Sequence, residues 1–162
     1  MTDKKHAEPA PMNFVYWFFH TLARFLFWLG FRRKIHNREI LYQYRKEGAL
    51  LASNHVSYLD PPLVGSACRH TIYFLARKTL FRFKVSGWLF PRLHAIPVDQ
   101  ERPDMSSMRR IIKLVKAGRQ VAIFPEGERT LDGRLKRAAP GTGLVIAKAN
   151  AMVIPMRIFG AY

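Results

Sequence analysis

The order of apolar and polar positions divides this chain into one long apolar block and a series of short ones. Residues 12–31, MNFVYWFFHTLARFLFWLGF, are almost wholly apolar, and Asn13, His20 and Arg24 stand in them at i, i+7 and i+11. On a helix that spacing draws one narrow polar stripe. Beyond it, short runs near 34–41, 49–53, 71–76, 94–98, 120–124 and 153–159 read as strands. Helical stretches fall between them. Asp60 can cap a helix with Pro61 at its first position. Asp104 or Ser106 can start another over 105–117, where Met105, Met108, Ile112 and Val115 share a face and Gly118 closes the end. Residues 142–150 predict a third. Strands alternating with helices predict an α/β fold, with a mostly parallel central sheet flanked by helices and an apolar helix before it.

This pattern divides the chain into a flexible polar tail (1–11), a membrane-interacting helix (12–33) and an α/β domain (34–162). The last of these stops just after a strand and can be incomplete at its C-terminus. The apolar block has the length of a membrane span, about 20 residues. Arg24 near its centre would cost roughly 2.5–3.5 kcal/mol in a bilayer. A spanning helix, a core helix and a helix lying in the membrane interface all remain open. The polar stripe favours the last, with Arg32, Arg33 and Lys34 reaching lipid phosphates from its end. No small-residue cleavage site follows, which argues against a signal peptide.

Charge narrows the partners. Lys and Arg number 27 against 11 acids, a formal net charge of +16. Such an excess concerns anionic partners rather than fold. No acid lies between Asp60 and Asp99, where Arg69, Arg77, Lys78, Arg82, Lys84 and Arg92 alternate with five Phe and Trp residues. Single-stranded nucleic acid and an anionic lipid surface would both be drawn to such a face. A nucleic-acid reading leaves residues 12–31 unexplained. The single cysteine, Cys68, cannot form an internal disulfide and reads as a small buried residue. No residue cluster suggests a metal site.

Two segments carry candidate chemistry. In ALLASNHVSYLDPPLV (49–64) a strand ends at Asn54-His55, and the following turn can fold Asp60 back onto the imidazole. An aspartate bound to one ring nitrogen leaves the other basic, ready to take a proton from a substrate hydroxyl. The plain alternative is that Asp60 caps a helix while His55 packs. His94 and Asp99 repeat the five-residue spacing, but they bracket a short strand and fall on opposite faces. In VAIFPEGERTLDG (121–133) a buried strand leads into a shaped loop, where Arg129 offers a planar fork suited to phosphate. Glu126 could hold that arginine or orient the loop. The plain alternative there is a solvated turn with a surface ion pair.

Taken together, NHVSYLD and FPEGERT resemble the glycerophospholipid acyltransferase family, that of the 1-acylglycerol-3-phosphate (lysophosphatidate) acyltransferases. Asn54, His55 and Asp60 match its first block. Phe124, Pro125, Glu126, Gly127, Arg129 and Thr130 match its third, with Glu128 in place of a small hydroxyl residue. Val153-Ile154-Pro155-Met156 resembles its fourth. The second block, Ile96-Pro97-Val98-Asp99, is followed by Gln100 where relatives carry Arg, and Arg102 or Arg92 could stand in. LARKTLF resembles the family's basic segment and makes Lys78 a phosphate contact, ahead of Arg77; Lys136 is a peripheral candidate. The resemblance covers roughly residues 35–160.

What it implies is acyl transfer from acyl-CoA or acyl carrier protein to the free hydroxyl of 1-acylglycerol 3-phosphate, making phosphatidate, with no cofactor beyond that thioester co-substrate. His55 would be the general base and Asp60 its orienting partner. Arg129, Lys78, Glu126, Gly127 and Thr130 would form the acceptor site. The expected partners are the lysophospholipid, the donor and an anionic membrane surface at the cytoplasmic face, and no nucleic acid. Glycerol 3-phosphate or another lysophospholipid is the alternative acceptor.

Overall fold

The computed structural model describes residues 12–99, 105–130 and 132–161. Five strands form one sheet: β1 (Ala49–Ser53), β2 (Tyr73–Arg77), β3 (Ala95–Val98), β4 (Gln120–Ile123) and β5 (Met152–Met156), in the order β3-β2-β4-β1-β5. Each neighbouring pair is parallel. A parallel sheet covered on both faces needs apolar residues throughout its central strands, and β4 (QVAI) is buried at every position.

Helices α1 (Phe14–Leu29), α2 (Arg38–Gln43), α3 (Asp60–Ala67), α4 (Lys84–Arg92), α5 (Met105–Lys116) and α6 (Pro140–Ala149) surround it. Successive side chains of β1 point to opposite faces and divide the core. Ala49 and Leu51, with Ala122 and Ile154, pack on Val64, Ala67 and Leu41 of α3 and α2. Leu50, with Val121 and Ile123, packs on Ile111, Val115 and Val145 of α5 and α6. Each of these leucines, almost fully withdrawn from water, contributes about 1.5–3 kcal/mol. Gly48 allows the chain to enter β1 beneath the end of α5, since a Cβ there would stand 1.8 Å from the Val115 carbonyl oxygen.

The layering fixes the place of the site. The chain leaves β1 for α3 on one face, and leaves neighbouring β4 for α6 on the other. Where two adjacent parallel strands part in this way, a crevice opens beyond their carboxyl ends.

Several boundaries differ from the sequence expectations. Residues 34–41 do not form a strand: Asn37 takes a left-handed conformation (φ 52) and starts α2, whose Leu41 reaches the core. His94 is also left-handed (φ 59), so β3 begins one residue later. Strand β5 ends at Met156 rather than 159, and α6 starts at Pro140. The buried stripe of α5 runs through Ser107, Ile111 and Val115, because β4 and α6 meet that side; Met105 and Ile112 lie off its centre. Ser106 is inside the helix rather than capping it. Asp104 lies outside the described residues, as do the 1–11 tail and Arg102.

Helix α1 holds the largest surprise. Two residues of its polar stripe, Asn13 and His20, hydrogen-bond to the protein. The Asn13 side chain accepts from Tyr16 N–H (2.8 Å) and donates to the Arg92 carbonyl (2.9 Å), while His20 Nε2–H donates to the Cys68 carbonyl (2.9 Å). The reason lies in α3, whose C-terminal end offers carbonyls without helical partners. Arg38 takes that of Ala67 and His20 takes that of Cys68. Phe14, Trp17, Phe18, Phe25, Trp28 and Leu29 therefore point outward, Phe14 at 76% exposure and Trp28 at 74%. Among the described residues no helix is long and apolar enough to cross a membrane. With 16 residues, α1 is roughly 24 Å long, short of a bilayer core of about 30 Å.

Candidate active site

Strand β1 ends at Ser53, and the next seven residues build one side of the crevice. Asn54 locks the exit: its side chain accepts from Ile158 N–H (2.7 Å) and donates to Ile158 O (3.0 Å). His55 follows, 18% exposed at the side chain. Asp60, fully buried, turns back toward it instead of capping α3. Its Oδ2 accepts from His55 Nδ1 (2.7 Å), Val56 N–H (2.6 Å) and Ser57 N–H (2.8 Å). The helix cap expected of Asp60 is thus overturned, because the backbone amides of the preceding turn claim the carboxylate first. An ionised carboxylate only accepts, so Nδ1 carries the ring proton and Nε2 keeps a free lone pair.

The loop after β4 forms the other side. The Phe124 ring stacks on the His55 imidazole with centroids 4.1 Å apart. Gly127 adopts φ 76, a turn that side chains disfavour, and its N–H bonds to Phe124 O at 2.9 Å. Thr130 N–H donates to His55 O at 2.8 Å, tying the two loops together. Pro125 O accepts from Ala139 N–H at 2.7 Å, which anchors the loop to the start of α6.

Between the loops lies a cavity of about 300 Å³. Its lining is largely apolar, with Leu75, Val98, Met108, Ile111 and Val145, and also includes His55, Arg77 and Asp99. Such a lining suits an amphiphile, with its chain on the apolar residues and its polar part beside His55 and Arg77.

The expected site residues fall into three groups. His55, Asp60 and Thr130 are joined by hydrogen bonds, and Gly127 lines the cavity beside His55. Glu126 and Arg129 lie next to them in the loop without forming the pair expected of them. The Arg129 guanidinium instead stacks on Tyr58, 3.5 Å from the ring centroid. No carboxylate among the described residues stands within ion-pair distance of it. Lys78 opens a 3₁₀ turn (Lys78–Arg82), is exposed and does not line the cavity; Arg77, one residue earlier at the end of β2, does.

Arg92 cannot replace the missing arginine of the second block. It ends α4, before β3, and stacks on Trp88, so it stands at the far edge of the sheet. Lys136 pairs with Glu128 at 2.8 Å. That hydrogen bond and charge, with a contribution from Arg77, hold the Glu128 carboxyl below its usual range. His94 and Asp99 behave as the strand pattern predicts. The His94 ring packs on Tyr16 and Tyr73 at the start of β3, whereas Asp99 reaches the cavity after its end. Tyr58 was not singled out by sequence as a member of the site, Phe124 was named only as part of the third block, and Arg77 was ranked behind Lys78. A strand register for β2 could have found Arg77, since it pairs with Val98, the residue before Asp99.

A family model for acyltransferases matches residues 32–159, most of the chain. The chain belongs to the acyltransferase family. It is 39% identical over 108 residues to a 1-acyl-sn-glycerol-3-phosphate acyltransferase of Bacillus subtilis, a match covering 65% of this chain and 53% of that protein. A chloroplastic 1-acyl-sn-glycerol-3-phosphate acyltransferase of Arabidopsis thaliana is 31% identical over 114 residues, covering 69% of this chain and 32% of that one. The chain thus matches about half the length of the first relative and a third of the second. Among solved structures, the 1-acyl-sn-glycerophosphate acyltransferase PlsC of Thermotoga maritima shares the fold of this acyltransferase, with a TM-score of 0.57 at 20% identity. The match covers 87% of this chain and 70% of that one.

Proposed function

We propose that this family member transfers an acyl group from acyl-CoA or acyl carrier protein to the free hydroxyl of a 1-acylglycerol 3-phosphate, forming phosphatidate. The observation that carries the reading is the 2.7 Å His55–Asp60 hydrogen bond beside a largely apolar cavity that His55 and Arg77 also line. His55 Nε2 takes the hydroxyl proton as the oxygen attacks the thioester carbonyl. The tetrahedral intermediate collapses, the C–S bond breaks, and the imidazolium returns that proton to the departing thiolate. Asp60 holds the tautomer and stabilises the transient positive charge. Arg129 and Arg77 hold the acceptor phosphate and so keep its hydroxyl beside His55, with Lys78 further out. Glu126, Gly127 and Thr130 shape the loop that carries Arg129.

The outward aromatic face of α1 and the net charge of +16 support attachment to an anionic membrane surface at the cytoplasmic face, with the helix lying along the interface. A free phosphate acceptor would not need that face, which favours the lysolipid over glycerol 3-phosphate.

The test is phosphatidate formation by the purified chain on anionic liposomes, from lysophosphatidate and an acyl thioester, with glycerol 3-phosphate as a parallel acceptor. Faster turnover of glycerol 3-phosphate would move the acceptor. Folded, vesicle-bound protein that makes no product from either acceptor would refute the reading.

A further inference from the structure

Tyr58 has no assigned part in the chemistry, yet its setting is unusual. It lies in the turn between His55 and Asp60 and is 78% exposed, so it fills no core position. Its ring is nevertheless covered by the Arg129 guanidinium at 3.5 Å. This is a contact across the two loops of the site, parallel to the Thr130 N–H bond to His55 O. Arg129 is therefore fixed at two points: through the backbone one residue on, and through its side chain on Tyr58. A carboxylate partner would have occupied the guanidinium's N–H fork and set a negative charge beside an anionic ligand. An aromatic face takes only the flat side and leaves the donors in the plane free.

We propose that Tyr58 is a positioning residue, holding the Arg129 guanidinium by its face so that its N–H fork stays free for the phosphate of the acceptor. The inference rests on the functional reading above, and concerns only how Arg129 is held. A stack at an exposed site is modest in strength, and losing it frees a long side chain to sample other rotamers. The effect therefore belongs in acceptor KM, by roughly two- to fivefold, not in the chemical step.

The test is initial-rate kinetics with lysophosphatidate for wild type, Tyr58→Ala, Tyr58→Phe, Arg129→Ala and the Tyr58→Ala/Arg129→Ala double variant, with melting curves alongside. Tyr58→Ala should raise KM for lysophosphatidate two- to fivefold, with kcat and melting temperature held. Tyr58→Phe, which keeps the face and loses the hydroxyl, should restore the wild-type KM. The double variant should match Arg129→Ala alone, because the two residues act through one contact. An unchanged KM in Tyr58→Ala, an equal loss in Tyr58→Phe, or full additivity in the double variant would overturn the role of Tyr58 while leaving the acyl transfer intact. A wild-type protein with no turnover would instead end the functional reading, and this inference with it.

Discussion

The two ends of the sheet treat histidine in opposite ways. At the amino-terminal edge, His70 donates to the Gln120 side chain (2.8 Å), which in turn donates to Tyr44 O; His20 donates to Cys68 O, and His94 packs between tyrosines. All three have neutral neighbours as partners, and burial is the main cause holding each below its ordinary value. At the carboxyl-terminal edge, His55 meets the Asp60 carboxyl group and opens onto a cavity. A neutral partner fixes an imidazole as a structural dipole. Under the proposed function, a carboxylate partner lets it accept a proton and give it back. Position along the strands, rather than residue type, separates framework from chemistry.

Substitutions at the carboxyl-terminal edge should have the largest effects. His55→Ala should lower kcat by about 10²–10⁴-fold with the melting temperature held, and Asp60→Asn should do the same while also loosening the turn it anchors. Steady-state rates beside melting curves check both, and a His55→Ala protein with full turnover would remove the distinction between the two edges. Arg129→Ala should raise lysophosphatidate KM by about tenfold or more with a smaller change in kcat, as loss of charge-assisted hydrogen bonds requires, and Arg77→Ala should follow it. An effect of Arg129→Ala confined to the thioester donor would displace it from the acceptor site.

The amino-terminal edge should respond to acid instead. The folded values of His20, His70 and His94 lie below 6.5, so the unfolded chain takes up protons first as the pH falls. Stability from these groups is full above about pH 6.5 and is lost as the pH drops through the depressed values. Melting temperatures at pH 7.5 and 5.5 should show the decline, and a level profile would mean these imidazoles protonate freely in the fold. The smallest effect belongs to the exposed Lys136–Glu128 pair, where Lys136→Ala should leave the melting temperature unchanged.

How much of this was legible in sequence depends on the range of the interaction. Strands β1 and β4 were readable because both faces are buried and their apolar runs are uninterrupted. The His55–Asp60 pair was readable because five residues close a local turn. Residues 34–41 misled because their apolar positions suit either element, and only the left-handed Asn37 decides for a helix. The stripe on α1 was found but its partners were not, since the carbonyl that His20 meets lies at the end of α3, some 48 residues on. Arg77 and Lys78 are adjacent in sequence, so choosing between them requires knowing where β2 ends. The Tyr58–Arg129 stack joins loops that no local pattern relates.

The stripe on α1 also governs how the protein must be handled. Because its hydrogen-bonding groups already serve α3 and α4, the helix presents a surface of aromatic rings to its surroundings. In plain buffer that surface will be covered by the nearest apolar material: a column matrix, a vessel wall or a second copy of the chain. Recovery and apparent mass should therefore depend on detergent, and an activity measured without it would report the fraction of molecules that had escaped such burial.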